Sequence, residues 1–216
     1  MNITLLFLIN FIRLFFLDLL LCNLIGRKAR WYQLHCITNL IITIDLLPSC
    51  INIIINPKEG YILDVNDYNN NLVIVMHIYH MLINKLNNTD KFHHILFVLL
   101  GVLPGDLFIY SNQLYLHKIV CSGIPGVIEY GLLTLYKNDK LSKINQKYLN
   151  TLLYVFFRMP LCVAFSTMNY YAYINGLIND NLLITIYVNF LLYLNGTIFT
   201  YLTMDSYFKI KYLENY

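Results

Sequence analysis

Two histidines, His93 and His94, stand side by side, three and four residues after Asp90. On a helix that spacing brings a carboxylate within reach of one imidazole. A carboxylate that accepts from one ring nitrogen fixes the tautomer and leaves the other nitrogen basic, as a general base requires. A Thr89-Asp90 turn could equally use the aspartate as a helix cap, with the histidines at a lipid interface. Upstream, His77 and His80 share one helical face with Asn84, either as a substrate- or metal-binding face or as partners in interhelical hydrogen bonds. Further on, Glu129 and Arg158 are the cheapest opposite charges to bury together, as a structural ion pair or as substrate contacts. Di-iron hydroxylases need more histidines than these; His35 and His117 lie far from any such box, and no metal is expected.

The elements that must carry these residues are membrane helices. Of 216 residues, 58% are hydrophobic and 12% charged, and the mean hydropathy is +0.55. A soluble domain carries about a quarter charged residues, so the apolar excess must face lipid. Hydrophobic runs place about seven spans, at 3–25, 34–55, 72–86, 93–110, 119–136, 148–174 and 182–204. The expected fold is an all-α polytopic bundle forming one transmembrane domain over 1–216. The polar segment from Asn56 to Asn71 reads as a loop, and Pro104, Pro125 and Pro160 should kink three successive spans. Gly101-x-x-x-Gly105 reads as a close-packing motif. The five cysteines are scattered singly, so neither a disulfide framework nor a zinc site is expected. No basic cluster alternates with aromatics, which argues against nucleic acid.

Loop charge sets an orientation. Arg27, Lys28, Arg30, Lys85, Lys91, Lys137, Lys140, Lys143, Lys147, Lys209 and Lys211 fall on one side, against Lys58 and Lys118 on the other. The expectation is a cytosolic C-terminus and a lumenal N-terminus. At about 1.5 Å per residue, His77, His80, His94, Glu129 and Arg158 all lie within about 15 Å of the cytosolic end. They are expected to surround one cavity open to the cytosol, with Arg158 within pairing distance of Glu129 and an apolar lumenal half.

The order of these features resembles the TLC-domain family, which includes ceramide synthases and translocon-associated membrane proteins. The resemblance runs over residues 27–205: Asp90-x-x-His93-His94 opens a span, a Gly/Pro-broken span carries Glu129-Tyr130, a basic loop follows, and then Phe156-Phe157-Arg158-Met159-Pro160. It is closer to the family's uncharacterised branch. The ceramide synthases carry two more aspartates in the span after the pair, and here no aspartate occurs between Asp106 and Asp139.

The resemblance implies that His93 and His94 are catalytic; spacing adds Asp90 to orient one of them, and His77, His80, Glu129 and Arg158 are the candidate substrate-binding residues from their places in the spans. The implied reaction is acyl transfer from acyl-CoA, as co-substrate, to a lipid amine or hydroxyl, in the endoplasmic reticulum or another internal membrane. The implied partners are membrane lipid, acyl-CoA and, as a candidate assembly, a second copy of the chain. The alternative is a non-enzymatic lipid-binding or lipid-composition factor whose histidines shape a polar pocket.

Overall fold

The computed structural model describes residues 3–62 and 71–213. The described residues are all helical in their regular structure, and six helices are long and apolar enough to cross a membrane. We number the helices α1 (Ile3–Leu24), α2 (Arg30–Ile55), α3 (Leu72–Ile83), α4 (Asn88–Phe108), α5 (Gln113–Lys137), α6 (Lys143–Ile174) and α7 (Leu182–Leu213). Together they make a multi-pass integral membrane protein. A single helical turn, Pro57–Gly60, follows α2; the rest of the expected loop falls largely on 63–70, outside the described residues.

The expected third span shortens. Its helix has 12 residues and stops where Asn84 turns extended (φ −121, ψ 148). Twelve residues rise only about 18 Å, part of the about 30 Å of hydrocarbon, and the non-helical residues 84–87 carry the chain on to α4 at the basic end. α3 runs beside α1 in the same direction. Asn10 donates to Asn71 at 2.7 Å near its start, and Tyr79 donates to Asp18 at 2.8 Å further along. Asp18, fully buried, also takes the Arg30 guanidinium through both carboxylate oxygens, with Nε at 2.9 Å from Oδ2. One buried carboxylate thus ties α1, α2 and α3 together near the end of the bundle that carries Arg30. We call this the basic end.

Several expected boundaries move outward. α4 begins at Asn88, α5 at Gln113, α6 at Lys143, and α7 continues to Leu213, while the end of α4 moves inward to Phe108. The shift in α5 takes Lys118 out of a loop. It is buried inside the helix and pairs with Asp106 at 2.8 Å, so it no longer counts as a loop charge.

The three prolines act through one local device. Before each of them the helix widens to i→i+5 turns, over His94–Val102, Ile119–Gly123 and Tyr154–Arg158. The residue preceding each proline donates to the carbonyl five back: Leu103 to Val98, Ile124 to Ile119 and Met159 to Tyr154. Proline has no N–H, and its ring clashes with the carbonyl four back; a wider turn relieves the clash and reassigns the bonds. The carbonyl of Leu100, four before Pro104, accepts the Tyr187 hydroxyl at 2.7 Å. Inside a membrane every such carbonyl needs a partner of this kind. Of the glycine motif, Gly101 faces Leu191 and Gly105 faces Leu114, two different helices, so it is not a seam between one pair.

Candidate functional site

Each wall of the site is a polar stripe at helical spacing. Trp31, His35 and Asn39 are four apart on α2, and Asn150, Tyr154 and Arg158 are four apart on α6. Residues at that spacing share one face. His77 and His80 come from α3, His93 and His94 from the first turns of α4, Glu129 and Tyr130 from α5. All of these line one cavity of about 470 Å³ in the basic half of the bundle.

The imidazoles meet in pairs. His77 Nε2 lies 3.2 Å from His93 Nε2, and His94 Nε2 lies 3.2 Å from His80 Nδ1. The first pair's proton positions follow from its neighbour. His77 Nδ1 is 2.7 Å from the Val73 carbonyl, which can only accept, so Nδ1 carries the proton and Nε2 is bare. His93 Nε2–H therefore donates to His77, and the free lone pair of His93 is on Nδ1. His94 is buried, and its Nδ1 has no partner among the described residues. Trp31 stacks on His80 at 3.4 Å between ring centroids and meets His35 edge-on at 3.7 Å. Among the described residues no three His, Cys, Asp or Glu side chains form a group that could hold a metal ion. The ring nitrogens make two separate couples.

Opposite the histidines sits a charged cluster. Arg158 is 4% exposed. It donates to the Tyr154 hydroxyl and to Asn195 Oδ1, both at 2.7 Å. The Tyr154 hydroxyl in turn donates to Glu129 at 2.5 Å, and Asn150 donates to the other carboxylate oxygen at 3.3 Å. The direct Arg158–Glu129 separation is 3.7 Å, so the two expected partners are within pairing distance, with a tyrosine hydroxyl bridging them.

A smaller chamber of about 80 Å³ shares His77, His93, Cys121, Ser122 and Arg158 with the main cavity. Its walls are Phe97, Val98, Gly101 and Leu191, and it reaches the buried Asp106–Lys118 pair. The two spaces thus share a wall of polar side chains.

Three expectations change. Asp90 does not bond to either histidine: its carboxylate accepts from the Asn87 backbone at 3.1 Å, while the Asn87 side chain accepts from the Asp90 backbone at 2.9 Å. This capping box satisfies the orphan N–H groups at the start of α4, which outcompetes a reach along the helix. His35, set aside because of its distance in sequence, stands 5.7 Å and 6.0 Å from His77 and His80, centroid to centroid. The stripe Trp31-x-x-x-His35-x-x-x-Asn39 was the available signal for it.

The half away from the basic end is not apolar. Gln113, His117, Asn169, Asp180, Thr185 and Asn189 form a buried hydrogen-bonded network there, joined by the Tyr61 hydroxyl at 3.0 Å from Asn169. Compared with protein-family models, curated proteins and solved structures, the chain has no match, and the reading of the site rests on its own geometry.

Proposed function

We propose that the protein is a membrane-embedded, histidine-dependent enzyme of TLC type that acts on the head group of a membrane lipid. The preferred reaction is acyl transfer from acyl-CoA to a lipid amine or hydroxyl. The observation that supports it most is the His77–His93 couple. With Val73 and His77 fixing the proton on His93 Nε2, the Nδ1 lone pair of His93 is free to act as base. The acceptor gives its proton to His93 as it attacks the thioester carbonyl; the new C–N or C–O bond forms, the C–S bond breaks, and the leaving thiolate takes the proton back. His94 would steady the thioester carbonyl oxygen.

In this reading Arg158 and the Tyr154-bridged Glu129 position the polar part of the substrate, and the smaller chamber takes apolar chain. The histidines would face the cytosol in the endoplasmic reticulum or another internal membrane, with the N-terminus lumenal. A glycan at Asn87 would reverse that orientation. A second reading, a non-enzymatic lipid-binding factor, is favoured by one observation: Asp90 serves the helix cap, so the pair has no carboxylate to orient it.

The test is lipid profiling of membranes from cells expressing wild type or His93→Ala/His94→Ala. The enzymatic reading expects a lipid change that disappears in the double variant. A change that persists there leaves only the binding reading.

A further inference from the structure

The main cavity carries, at its basic end, a cation with no counter-charge bonded to it among the described residues. Lys147 lines the cavity beside Asn150 and Glu129 and is half-buried. Its ammonium has no hydrogen-bond or ion-pair partner among the described residues, yet it is not sealed off. Glu129 is already taken by Tyr154, Asn150 and Arg158. Asp90, the other carboxylate on the cavity wall, serves the cap of α4.

Lys147 belongs to a longer stripe. Lys143, Lys147, Asn150, Tyr154 and Arg158 recur every three or four residues on α6, so they share one face that runs inward from the basic end. Like charges four apart on a helix repel, and an anion beside Lys143 and Lys147 relieves that repulsion. From α7, Thr203 and Ser206 bring hydroxyls to the same cavity. α6 and α7 run antiparallel here: Tyr148 meets Tyr207 at 5.7 Å between centroids, and Thr200 donates to the Tyr154 carbonyl at 3.5 Å. That register puts Lys147 level with Ser206.

The register also sets how deep the histidines lie. The Phe199 ring is 5.6 Å from the His93 ring and 5.6 Å from the Arg158 guanidinium, centroid to centroid and centroid to carbon. Phe199 is seven residues before Ser206, a rise of about 10 Å along α7. A molecule that reaches both levels needs an anionic group and a reacting group joined by a spacer of that length.

An ammonium has three donors and no acceptor, and each hydroxyl adds a donor. Such a set suits an anion with several acceptor oxygens. In the acyl-transfer reading the anions at hand are phosphates, those of coenzyme A or that of a phospholipid head group.

We propose that Lys147, with Thr203 and Ser206, is a phosphate-binding site at the basic end of the cavity, holding a substrate's phosphate while its reacting group meets His93. This rests on the acyl-transfer reading of the cavity and adds where the substrate's charge is held.

The experiment uses the full chain in dodecyl maltoside, a phosphate-free detergent, and measures binding of two labelled ligands, octanoyl-CoA and dioctanoylphosphatidic acid. Octanoyl-pantetheine and dioctanoylglycerol are their phosphate-free counterparts. Lys147→Met keeps the side chain's length and removes its charge. It is expected to bind a phosphate ligand at least tenfold more weakly than wild type does and to bind the phosphate-free counterparts equally well. Lys147→Arg, which restores the cation, is expected to recover most of the loss. Added salt should weaken binding more in wild type than in Lys147→Met. A loss confined to octanoyl-CoA assigns the site to the soluble donor, and a loss confined to phosphatidic acid assigns it to a lipid head group.

Equal binding of both phosphate ligands by wild type and Lys147→Met overturns the proposal, as does a wild type that binds neither. An equal loss of the phosphate-free counterparts also overturns it, since Lys147 would then be structural. Displacement of the label by octanoate as strong as that by inorganic phosphate removes the phosphate assignment, because any anion would suffice. The catalytic reading fails separately: Lys147-dependent binding without acyl transfer sinks the enzymatic reading alone. Acyl transfer by Lys147→Met with an unchanged KM for octanoyl-CoA, and unchanged phosphatidic acid binding, sinks the site alone.

Discussion

Two buried asparagines divide the molecule into regions built on opposite plans. Asn189, in the half away from the basic end, uses its whole amide. Its oxygen takes Asn169 Nδ2 at 3.0 Å and lies 3.0 Å from His117 Nε2, and its nitrogen donates to Gln113 at 3.1 Å and to the Thr185 carbonyl at 2.8 Å. Asn39, in the basic half, has no hydrogen-bond partner for its amide among the described residues and borders a cavity of about 470 Å³. A filled, satisfied network rigidifies and specifies the packing of helices. The same residue type is therefore fully bonded in one half and unbonded beside a cavity in the other.

That contrast breaks most clearly at Asn189. Asn189→Leu removes the donor to Gln113 Oε1 and the oxygen that Asn169 Nδ2 and His117 Nε2 share, and the lost bonds cost about 2–6 kcal/mol in all. Thermal unfolding in detergent should fall by on the order of 10 °C. A shift of less than about 2 °C would mean that the network is not structural.

Arg158→Met comes next. It removes the donor to Asn195 and Tyr154 but leaves Glu129 bonded to Tyr154 and Asn150. The expected loss is about 1–3 kcal/mol, read in the same melt.

His93→Ala sharpens the comparison further, because its ring borders hollow space rather than packed core. Stability should fall by about 1–2 kcal/mol, because His77 Nε2 loses its donor at the cavity wall, while any acyl transfer is lost. A fall as large as that for Asn189→Leu would turn the histidine couple into a structural element.

The smallest effect belongs to the surface. Lys28 and Asp139 pair with 57% and 82% of their side chains exposed. Lys28→Ala should therefore shift stability by about 0.5 kcal/mol or less.

The sequence by itself determined what depends on neighbours along the chain. Apolar runs such as 34–55 and 182–204 had to become helices that cross lipid, because a backbone in hydrocarbon must satisfy its own hydrogen bonds. Pro104, Pro125 and Pro160 marked where three helices depart from α geometry, since a missing N–H is a local fact. The tertiary structure decided everything that depends on which faces meet. Asp90 could reach its histidines or cap its helix, and the orphan N–H of Asn87 was closer. The third apolar run is expected to be helical to residue 86, but the helix ends at Ile83, where Asn84 turns extended. His35 sits 42 residues before His77, and their approach depends on the rotation of α2 against α3, which no local pattern encodes. The amide network has no local sequence signal for the same reason. Gln113, Asn169 and Asn189 are single polar residues in apolar surroundings, and only packing reveals that they bond to one another.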